Sequence, residues 1–202
     1  MILSLHPDNP EPRLVARVVS MLENGGVIAY PTDSVYALGC DASNNRAVER
    51  LYKLKKSDRA KPFSLVCRDI AEISGYARVS NSAFRTLKSH LPGPYVFILE
   101  ANRNVPKLLT DKRKTIGVRV PSNPAARSLV EGLGRPILSS SIKDDEGEFL
   151  VDPEQIDKIL GPFINVVVRA EEVGRTPSSV VSLVDEAPEI IREGKGDLTA
   201  FR

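Results

Sequence analysis

Apolar residues recur along the chain with two alternating spacings. After the helix-entry signal Asn9-Pro10-Glu11-Pro12, they repeat every three or four residues, as in a helix, until Asn24-Gly25-Gly26 ends the repeat. Short apolar segments bounded by turn residues favour strands. The pattern predicts helices between 12 and 24, over 47–54, over 80–90, from 124 and from 153, and strands at 27–30, 63–67, 95–99, 115–120, 136–138, 165–168, 180–184 and 189–192.

This alternation of helices with strands predicts an α/β fold with a twisted, mixed sheet and flanking helices. No repeat, low-complexity segment or long linker interrupts the chain, so residues 1–202 are predicted to form a single domain. On the helix over 80–90, which Ser80 caps, Phe84 and Leu87 are predicted to face the core. Tyr36 and Tyr52 are also expected in the core, and 143–152 is expected to be an exposed acidic loop.

Composition narrows the class of protein. Hydrophobic residues make up 42% of the chain, which allows a substantial core and argues against wholesale disorder. The apolar runs are far shorter than a membrane span, and the N-terminus lacks the basic start and apolar segment of a signal peptide. The two cysteines, Cys40 and Cys67, have no histidine or cysteine nearby at metal-ligand spacing. We therefore expect a soluble, cytoplasmic protein with reduced thiols, no membrane partner and no metal site.

Charge is distributed unevenly along the chain. Residues 1–142 carry 21 basic and 12 acidic side chains, a net +9, whereas residues 143–202 carry 7 and 14, a net −7. The asymmetry indicates one positively charged face, although a solvated surface of mixed sign is the ordinary alternative for any single cluster. The densest group of cations follows a predicted helix and consists of Lys53, Lys55, Lys56, Arg59 and Lys61, with Asp58 among them.

Hydroxyl and cationic side chains follow the predicted strands, where ligand sites of α/β sheets collect. The chain has two histidines and no Gly-x-Ser-x-Gly, GxxxxGK or GxGxxG sequence, which argues against triad hydrolases and dinucleotide oxidoreductases. Phosphate chemistry needs positioning and charge neutralisation by Lys, Arg and a metal ion. The candidate clusters are Thr32-Asp33-Ser34, Lys55 with Arg59 and Lys61, Thr115 with Arg119, Ser139-Ser140-Ser141, Thr176 with Ser178 and Ser179, and Arg192.

Each cluster has a structural alternative. The lysine-rich segment could be a solvated helix C-terminus, Thr32-Asp33-Ser34 an Asx-type turn, and the serine run a loop. Arg119 interrupts an apolar strand, so its charge requires a partner, which is either a ligand or a buried Asp or Glu. Lys112-Arg113-Lys114 is predicted to be a basic hairpin tip or a contact for nucleic-acid phosphates. The whole inventory favours a site for a nucleoside triphosphate or a small molecule with a carboxylate.

Together these segments resemble the YrdC-like family, the threonylcarbamoyl-AMP synthases, over about residues 10–196. Within the family the chain is most similar to the YciO-type branch, because of 6–9, 112–117 and Arg192-Glu193-Gly194. The segments that match the family are 26–41, Leu54-Lys55 with Arg59 and Lys61-Pro62, Pro92-Gly93-Pro94, 117–121, 136–141, 177–181 and Ile191-Arg192.

The resemblance implies a single domain whose twisted sheet surrounds a large, positively charged cavity. It implies that ATP with Mg²⁺, L-threonine and bicarbonate are substrates, which are joined into threonylcarbamoyl-AMP with release of pyrophosphate. Other proteins then use this product to modify tRNA, and no tightly bound cofactor is implied. By the same resemblance, Thr32, Arg119 and Ser178 hold threonine, Lys55 and Arg59 are catalytic, and Lys55, Arg59, Thr115, Ser141 and Arg192 face the phosphates or the adenylate.

Four of the family's usual motifs are altered in this chain. Lys-x-Arg reads Lys55-Lys56-Ser57, and Ser-Ala-Asn reads Ser141-Ile142-Lys143, while Ser182 replaces an aspartate and Glu193 a proline. A lost charge-assisted hydrogen bond costs ~1.5–3 kcal/mol, so two such losses would lower turnover severely unless Lys56, Arg59 or Lys143 supplies the missing contacts.

The alternative function is a non-catalytic protein that binds double-stranded RNA or tRNA through the same positive face. Such binding would rest on phosphates and shape, because the chain has no Trp and only 11 Phe and Tyr residues for stacking on bases. Its expected RNA contacts are Lys112, Arg113 and Lys114.

Overall fold

The computed structural model describes residues 1–55, 63–103, 105, 109, 114–170, 172–185 and 187–202. Within these ranges the chain forms ten strands and six helices, with 3₁₀ turns at Gly161–Phe163 and Thr199–Phe201. The strands are β1 (Ile2–Ser4), β2 (Val27–Tyr30), β3 (Ala37–Asp41), β4 (Ser64–Val66), β5 (Tyr95–Glu100), β6 (Thr115–Arg119), β7 (Ile137–Ser141), β8 (Val166–Arg169), β9 (Ser179–Ser182) and β10 (Glu189–Arg192). The helices are α1 (Pro12–Glu23), α2 (Asn45–Leu54), α3 (Ile70–Tyr76), α4 (Asn81–His90), α5 (Pro124–Leu133) and α6 (Pro153–Leu160).

All ten strands form one twisted sheet in the order β1-β8-β2-β3-β7-β4-β6-β5-β9-β10. The sheet is mixed, since β1 and β2 pair with β8 in parallel, as do β4 with β6 and β5 with β9, while the remaining neighbours are antiparallel. The sheet does not close, because β1 and β10 are its two edges. The predicted α/β domain with a mixed sheet and flanking helices is therefore confirmed.

Helices α1 and α5 cover one face of the sheet. The helical repeat of α1 buries Val18 and Leu22 completely, and both pack in one cluster with Leu129 and Val130 of α5. Ile28 of β2 joins this cluster, whereas its neighbours Val27 and Ala29 belong to the core on the other face. A strand that is buried on both faces reads as a continuous apolar run, which is why 27–30 lacks polar alternation.

Strands β5 and β6 pack against the core with one face and line a cavity with the other. Phe97 and Val118 are fully buried and pack in one cluster with Ile73 of α3 and Leu87 of α4. Because side chains alternate along a strand, the intervening residues of β5 and β6 point to the opposite face. That face carries the cavity described below.

The predicted N-caps of two helices, Asn123 and Ser80, are confirmed. The Asn123 side chain accepts a hydrogen bond from Ala126 N, with Pro124 as the first residue of α5. Ser80 caps α4 by accepting from Ala83 N. Tyr36 and Tyr52 are buried, as predicted.

The prediction for Phe84 is wrong, since its side chain is 46% exposed. Ala83 and Leu87, four residues apart, define the buried stripe of α4, and Phe84 lies one residue off it. The serine run is not a loop, because Ser139–Ser141 continue strand β7. Strands β1 and β3 and helix α3 were not predicted.

Candidate functional site

A cavity of about 630 Å³ lies on the face of the sheet opposite the β5–β6 core. Its floor is a row of small residues in register across neighbouring strands, since Ser139 pairs with Ser64 and Ser64 pairs with Gly117. Small side chains on adjacent strands leave a volume that larger ones would fill. A Cβ on Gly117 would lie only 3.1 Å from Cγ1 of Val96, which also lines the cavity.

The structure brings the described residues of the predicted threonine and nucleotide sets to this one cavity. They come from a turn, a helix end and several strands, and they are separated by up to 160 positions. The members that line the cavity are Thr32, Lys55, Thr115, Arg119, Ser141, Ser178 and Arg192.

Four predicted residues stand apart from this set. Arg59, Lys112 and Arg113 lie outside the described residues. Lys114 is exposed, has a left-handed backbone with φ of 59°, and is not among the residues that line the cavity.

The polar turn after β2 supplies a chain of hydroxyl groups. Thr32 Oγ1 donates to Val35 O at 2.8 Å and lies 3.3 Å from Ser34 Oγ. Ser34 Oγ in turn lies 3.0 Å from Ser178 Oγ, and all three side chains are buried. The turn is thus held against the segment before β9, and both Thr32 and Ser178 line the cavity.

Arg119 has the buried carboxylate partner that its position in an apolar strand requires. Its Nη2 donates to Asp33 Oδ2 at 2.9 Å, and the two side chains are 7% and 4% exposed. Asp33 Oδ1 accepts from Ser122 N, Ser122 Oγ and Asn123 N at 2.6–2.8 Å. Among the described residues, Arg119 Nε is buried without a hydrogen-bond partner. The structural alternative for Arg119 therefore holds, and the same guanidinium also faces the cavity.

Arg192 forms the wall next to Ser178. Its Nε and Nη2 donate to Ser178 O at 3.1 and 2.8 Å. Burial, and then the nearby Arg119 guanidinium, lower the pKa of Arg192. Two guanidinium groups that repel each other across a cavity form a region where a bound anion is favourable.

Lys55 closes the opposite end of the cavity. It is the C-cap of α2, and its Nζ donates to Ser141 O at 2.6 Å, so the ammonium is fixed against the last residue of β7. A cation is favoured at a helix C-terminus, which agrees with its predicted structural alternative. Lys55 nevertheless lines the cavity together with Ser141.

Several residues of the site were not singled out from the sequence as parts of it. Asp33 was grouped with its turn but not identified as the partner of Arg119, and Ser64 and Lys195 carried no local signal. Lys195 Nζ donates to Asp33 O at 2.6 Å. Among the described residues no group of three metal-ligating side chains occurs, and no helix has the length and apolar character needed to cross a bilayer.

Comparisons with known proteins agree with this architecture. The Sua5/YciO/YrdC family model, described as telomere recombination, matches residues 20–194. The chain is 45% identical to the uncharacterized protein YciO of Escherichia coli K12, over 98% of this chain and 97% of that protein. The crystal structure of E. coli YciO superposes with a TM-score of 0.95 at 43% identity, covering 100% of this chain and 99% of that one. The chain is also 32% identical to the threonylcarbamoyl-AMP synthase of Buchnera aphidicola subsp. Acyrthosiphon pisum, over 82% of this chain and 96% of the synthase.

Proposed function

The chain belongs to the Sua5/YciO/YrdC family, and from this premise we propose that it binds L-threonine and ATP in the cavity and joins them with bicarbonate into threonylcarbamoyl-AMP. The predicted similarity to the YciO-type branch is confirmed by the likeness to YciO in both sequence and structure. The proposal takes its reaction from relatives that are named threonylcarbamoyl-AMP synthases.

One observation carries the proposal: the described threonine and nucleotide residues line a single cavity. Among the described residues that line it, Lys55, Arg119, Lys143 and Arg192 are cationic and none is Asp or Glu. A cavity with this charge suits substrates that carry phosphates and a carboxylate.

The amino acid is proposed to bind between Arg119 and the hydroxyl chain. Within the described part of the protein, Asp33 takes one N–H of the Arg119 guanidinium, which has five. The remaining donors suit the planar carboxylate of an amino acid. Thr32 and Ser178 supply hydroxyls on the same wall, where they would bind the polar groups of threonine.

The nucleotide is proposed to occupy the other end of the cavity. Lys55, Ser141 and Thr115 line this end, and Lys55 is already fixed to the backbone of Ser141. The Lys55 ammonium would act as a point charge against the phosphates. Mg²⁺ would enter with ATP as part of the substrate.

The reaction that this arrangement would support has two steps. The threonine amine attacks bicarbonate with loss of water and gives a carbamate. A carbamate oxygen then attacks the α-phosphorus of ATP, and the bond to pyrophosphate breaks. The cations of the cavity would neutralise the charge that develops on the phosphoryl oxygens, which is the main protein contribution to phosphoryl transfer.

Calorimetry and product release test the proposal together. Wild-type protein is expected to bind L-threonine and ATP, and to release pyrophosphate from ATP only when threonine and bicarbonate are both present. If the protein binds neither ATP nor L-threonine at millimolar concentration, the proposal is rejected. Binding of both without any pyrophosphate release would retain the site and reject the reaction.

Removing the Ser178 hydroxyl tests the proposed threonine end of the cavity. Ser178→Ala removes the Oγ that faces the cavity and leaves the backbone carbonyl that Arg192 requires. We expect about tenfold weaker threonine binding, as for loss of one hydrogen bond, with ATP binding unchanged. Ser82→Ala, on the exposed surface of α4, is the control and should change neither.

RNA binding is a second candidate function, favoured by the net +9 of residues 1–142 and by the exposed Lys114. It predicts binding of tRNA or double-stranded RNA that weakens steeply as salt increases. Lys112→Ala combined with Arg113→Ala should reduce that binding and leave threonine binding intact. No detectable RNA binding at low salt would exclude this function.

A further inference from the structure

Residues 142–150 form a short hairpin at the end of β7, which we call the 142–150 hairpin. Ile142 N donates to Tyr36 O, so the chain keeps its extended course beyond Ser141. Lys143 and Phe149 then pair as an antiparallel bridge, and Asp144 N donates to Glu148 O at 2.9 Å. The segment 143–152, predicted to be an exposed loop, is therefore an ordered turn with an exposed tip and a buried anchor at Leu150.

The Lys143 side chain does not pair with the carboxylates that follow it in the sequence, within the described part of the chain. Four acidic residues follow it before Phe149, yet among the described residues the Lys143 ammonium forms no ion pair. Its Nζ instead lies 4.4 Å from the centroid of the Phe149 ring. Both side chains line the cavity. The ring therefore holds the ammonium at the cavity wall without neutralising its charge.

We propose that Lys143, positioned by Phe149, is an additional binding residue that contacts the polyphosphate chain of the nucleotide. This inference rests on the proposed function, because it assigns one more contact to the nucleotide end of the same cavity. Lys143 is a cation at a position where the family's usual motif has an asparagine.

The location of Lys143 selects the phosphate end rather than the threonine end. It follows Ser141 by two residues, so their Cα atoms are about 7 Å apart in an extended chain. Ser141 O is the acceptor of Lys55, which places Lys143 beside the same end of β7. The threonine end, in contrast, is built on Arg119 and Ser178.

The balance of charge also favours a polyanion. Arg119 is neutralised by Asp33, whereas Lys143 has no carboxylate partner among the described residues. An additional point charge attracts a chain of several phosphates more strongly than a zwitterionic amino acid. The affinity contributed by Lys143 should therefore increase with the number of phosphates in the ligand.

The experiment uses Lys143→Met in the full chain, with inorganic tripolyphosphate, ATP, AMP and L-threonine as separate probes in calorimetry. We expect tripolyphosphate and ATP to bind about tenfold more weakly, as for loss of one charge-assisted contact on an exposed side chain, and AMP to be affected less. L-threonine binding should be unchanged. Lys143→Arg should restore most of the affinity, because it returns the cation.

Two further variants separate position from charge. Phe149→Leu leaves the charge of Lys143 but removes the ring, so it should weaken tripolyphosphate binding in the same direction and by less. The double variant with Lys143→Met should be no weaker than Lys143→Met alone, since the ring acts through the lysine. Lys158→Met, which removes an exposed lysine of α6 that does not line the cavity, is the matched control.

The outcomes distinguish this inference from the proposed function. If wild-type protein binds ATP and tripolyphosphate but Lys143→Met binds them equally well, the role of Lys143 is overturned and the proposed function stands. Equal weakening of threonine and tripolyphosphate would also overturn it, because it would indicate general damage to the cavity. If wild-type protein binds neither ATP nor threonine, the proposed function is rejected, and the role of Lys143 is rejected with it.

Discussion

The carboxylate of Asp33 joins the guanidinium of Arg119 at 2.9 Å while its other oxygen accepts three hydrogen bonds from Ser122 and Asn123. A single buried side chain thereby links the polar turn after β2, the end of β6 and the start of α5. The link also fixes the cation at the end of the cavity where threonine is proposed to bind. Stability and ligand geometry therefore depend on the same pair of charges.

Asp33→Asn should lower the free energy of unfolding by about 3–5 kcal/mol, because it leaves the buried guanidinium of Arg119 without its counter-charge. Chemical unfolding in urea measures the change. Asp8→Asn, which removes an exposed carboxylate outside the cavity, should have an effect within about 0.5 kcal/mol. Equal stability of the two variants would show that the ion pair contributes nothing.

Gly194→Ala should disturb the end of the cavity that is proposed to bind threonine, through the backbone of Ser178. A Cβ at Gly194 would lie 2.6 and 2.7 Å from Ser178 C and O, and would also collide with Pro177 O. Because backbone atoms cannot rotate away, we expect a loss of about 1–3 kcal/mol in stability and weaker threonine binding. Urea unfolding and calorimetry measure the two effects.

Gly174→Ala is the control for this substitution. In the described part of the chain, the nearest atom to a Cβ at that exposed position lies 4.0 Å away, so neither stability nor threonine binding should change. Threonine binding by Gly194→Ala at the wild-type affinity would contradict the proposed role of Ser178 in binding threonine.

The sequence predicts elements whose signals are local. Helix α1 begins at Pro12 and ends at Glu23, just before the predicted stop at Asn24, and α5 follows the predicted cap Asn123, because capping depends on residues that are adjacent in the chain. Strand β3 was not predicted, since Ala37–Asp41 has small residues and no clear alternation. Its pairing with β2 and β7 makes it a strand, and that pairing is set by the rest of the sheet.

In the candidate site, too, the sequence predicts the residues that carry a local signal but not the contacts between distant segments. The residue types and their motifs identify Thr32, Arg119 and Ser178, and the structure places all three on one cavity. The bonds between them join residues far apart in sequence, such as Ser34 with Ser178, 144 positions away. The pairing of Arg119 with Asp33, rather than with another acid, also follows from tertiary packing and not from any local pattern.

Gly117→Leu should close the cavity by filling its floor. The Cβ would already lie 3.1 Å from Cγ1 of Val96 and 3.5 Å from Cβ of Ser64, so the rest of the side chain would project into the ligand volume. We expect loss of both ATP and threonine binding, with a stability cost of about 1–3 kcal/mol from overpacking. Calorimetry with each ligand measures the first effect and urea unfolding the second.

The matched control for occlusion is Gly75→Leu. Gly75 is exposed on α3, and a Cβ there would meet no atom of the described residues within 4 Å, so ligand binding should persist. If Gly117→Leu still bound both ligands at the wild-type affinity, the substrates would have to bind outside this cavity.

Asp41 should give the protein an acid-dependent part of its stability. Burial by itself raises the pKa of Asp41, but hydrogen bonds from Arg135 and Ser43 outweigh burial and hold the pKa below its ordinary value of 3.8. Because the folded-state pKa is the lower one, the stabilisation is fully present above about pH 3.8 and is lost as the pH falls through the folded-state pKa. Asp41→Asn should therefore be less stable than wild type by about 1–3 kcal/mol at pH 7, and the difference should shrink below pH 3.8. Urea unfolding at a series of pH values measures this difference, and Asp145→Asn, at the exposed tip of the 142–150 hairpin, should show no such pH dependence. A difference between wild type and Asp41→Asn that stays constant from pH 7 to pH 3 would mean that the carboxylate charge does not stabilise the fold.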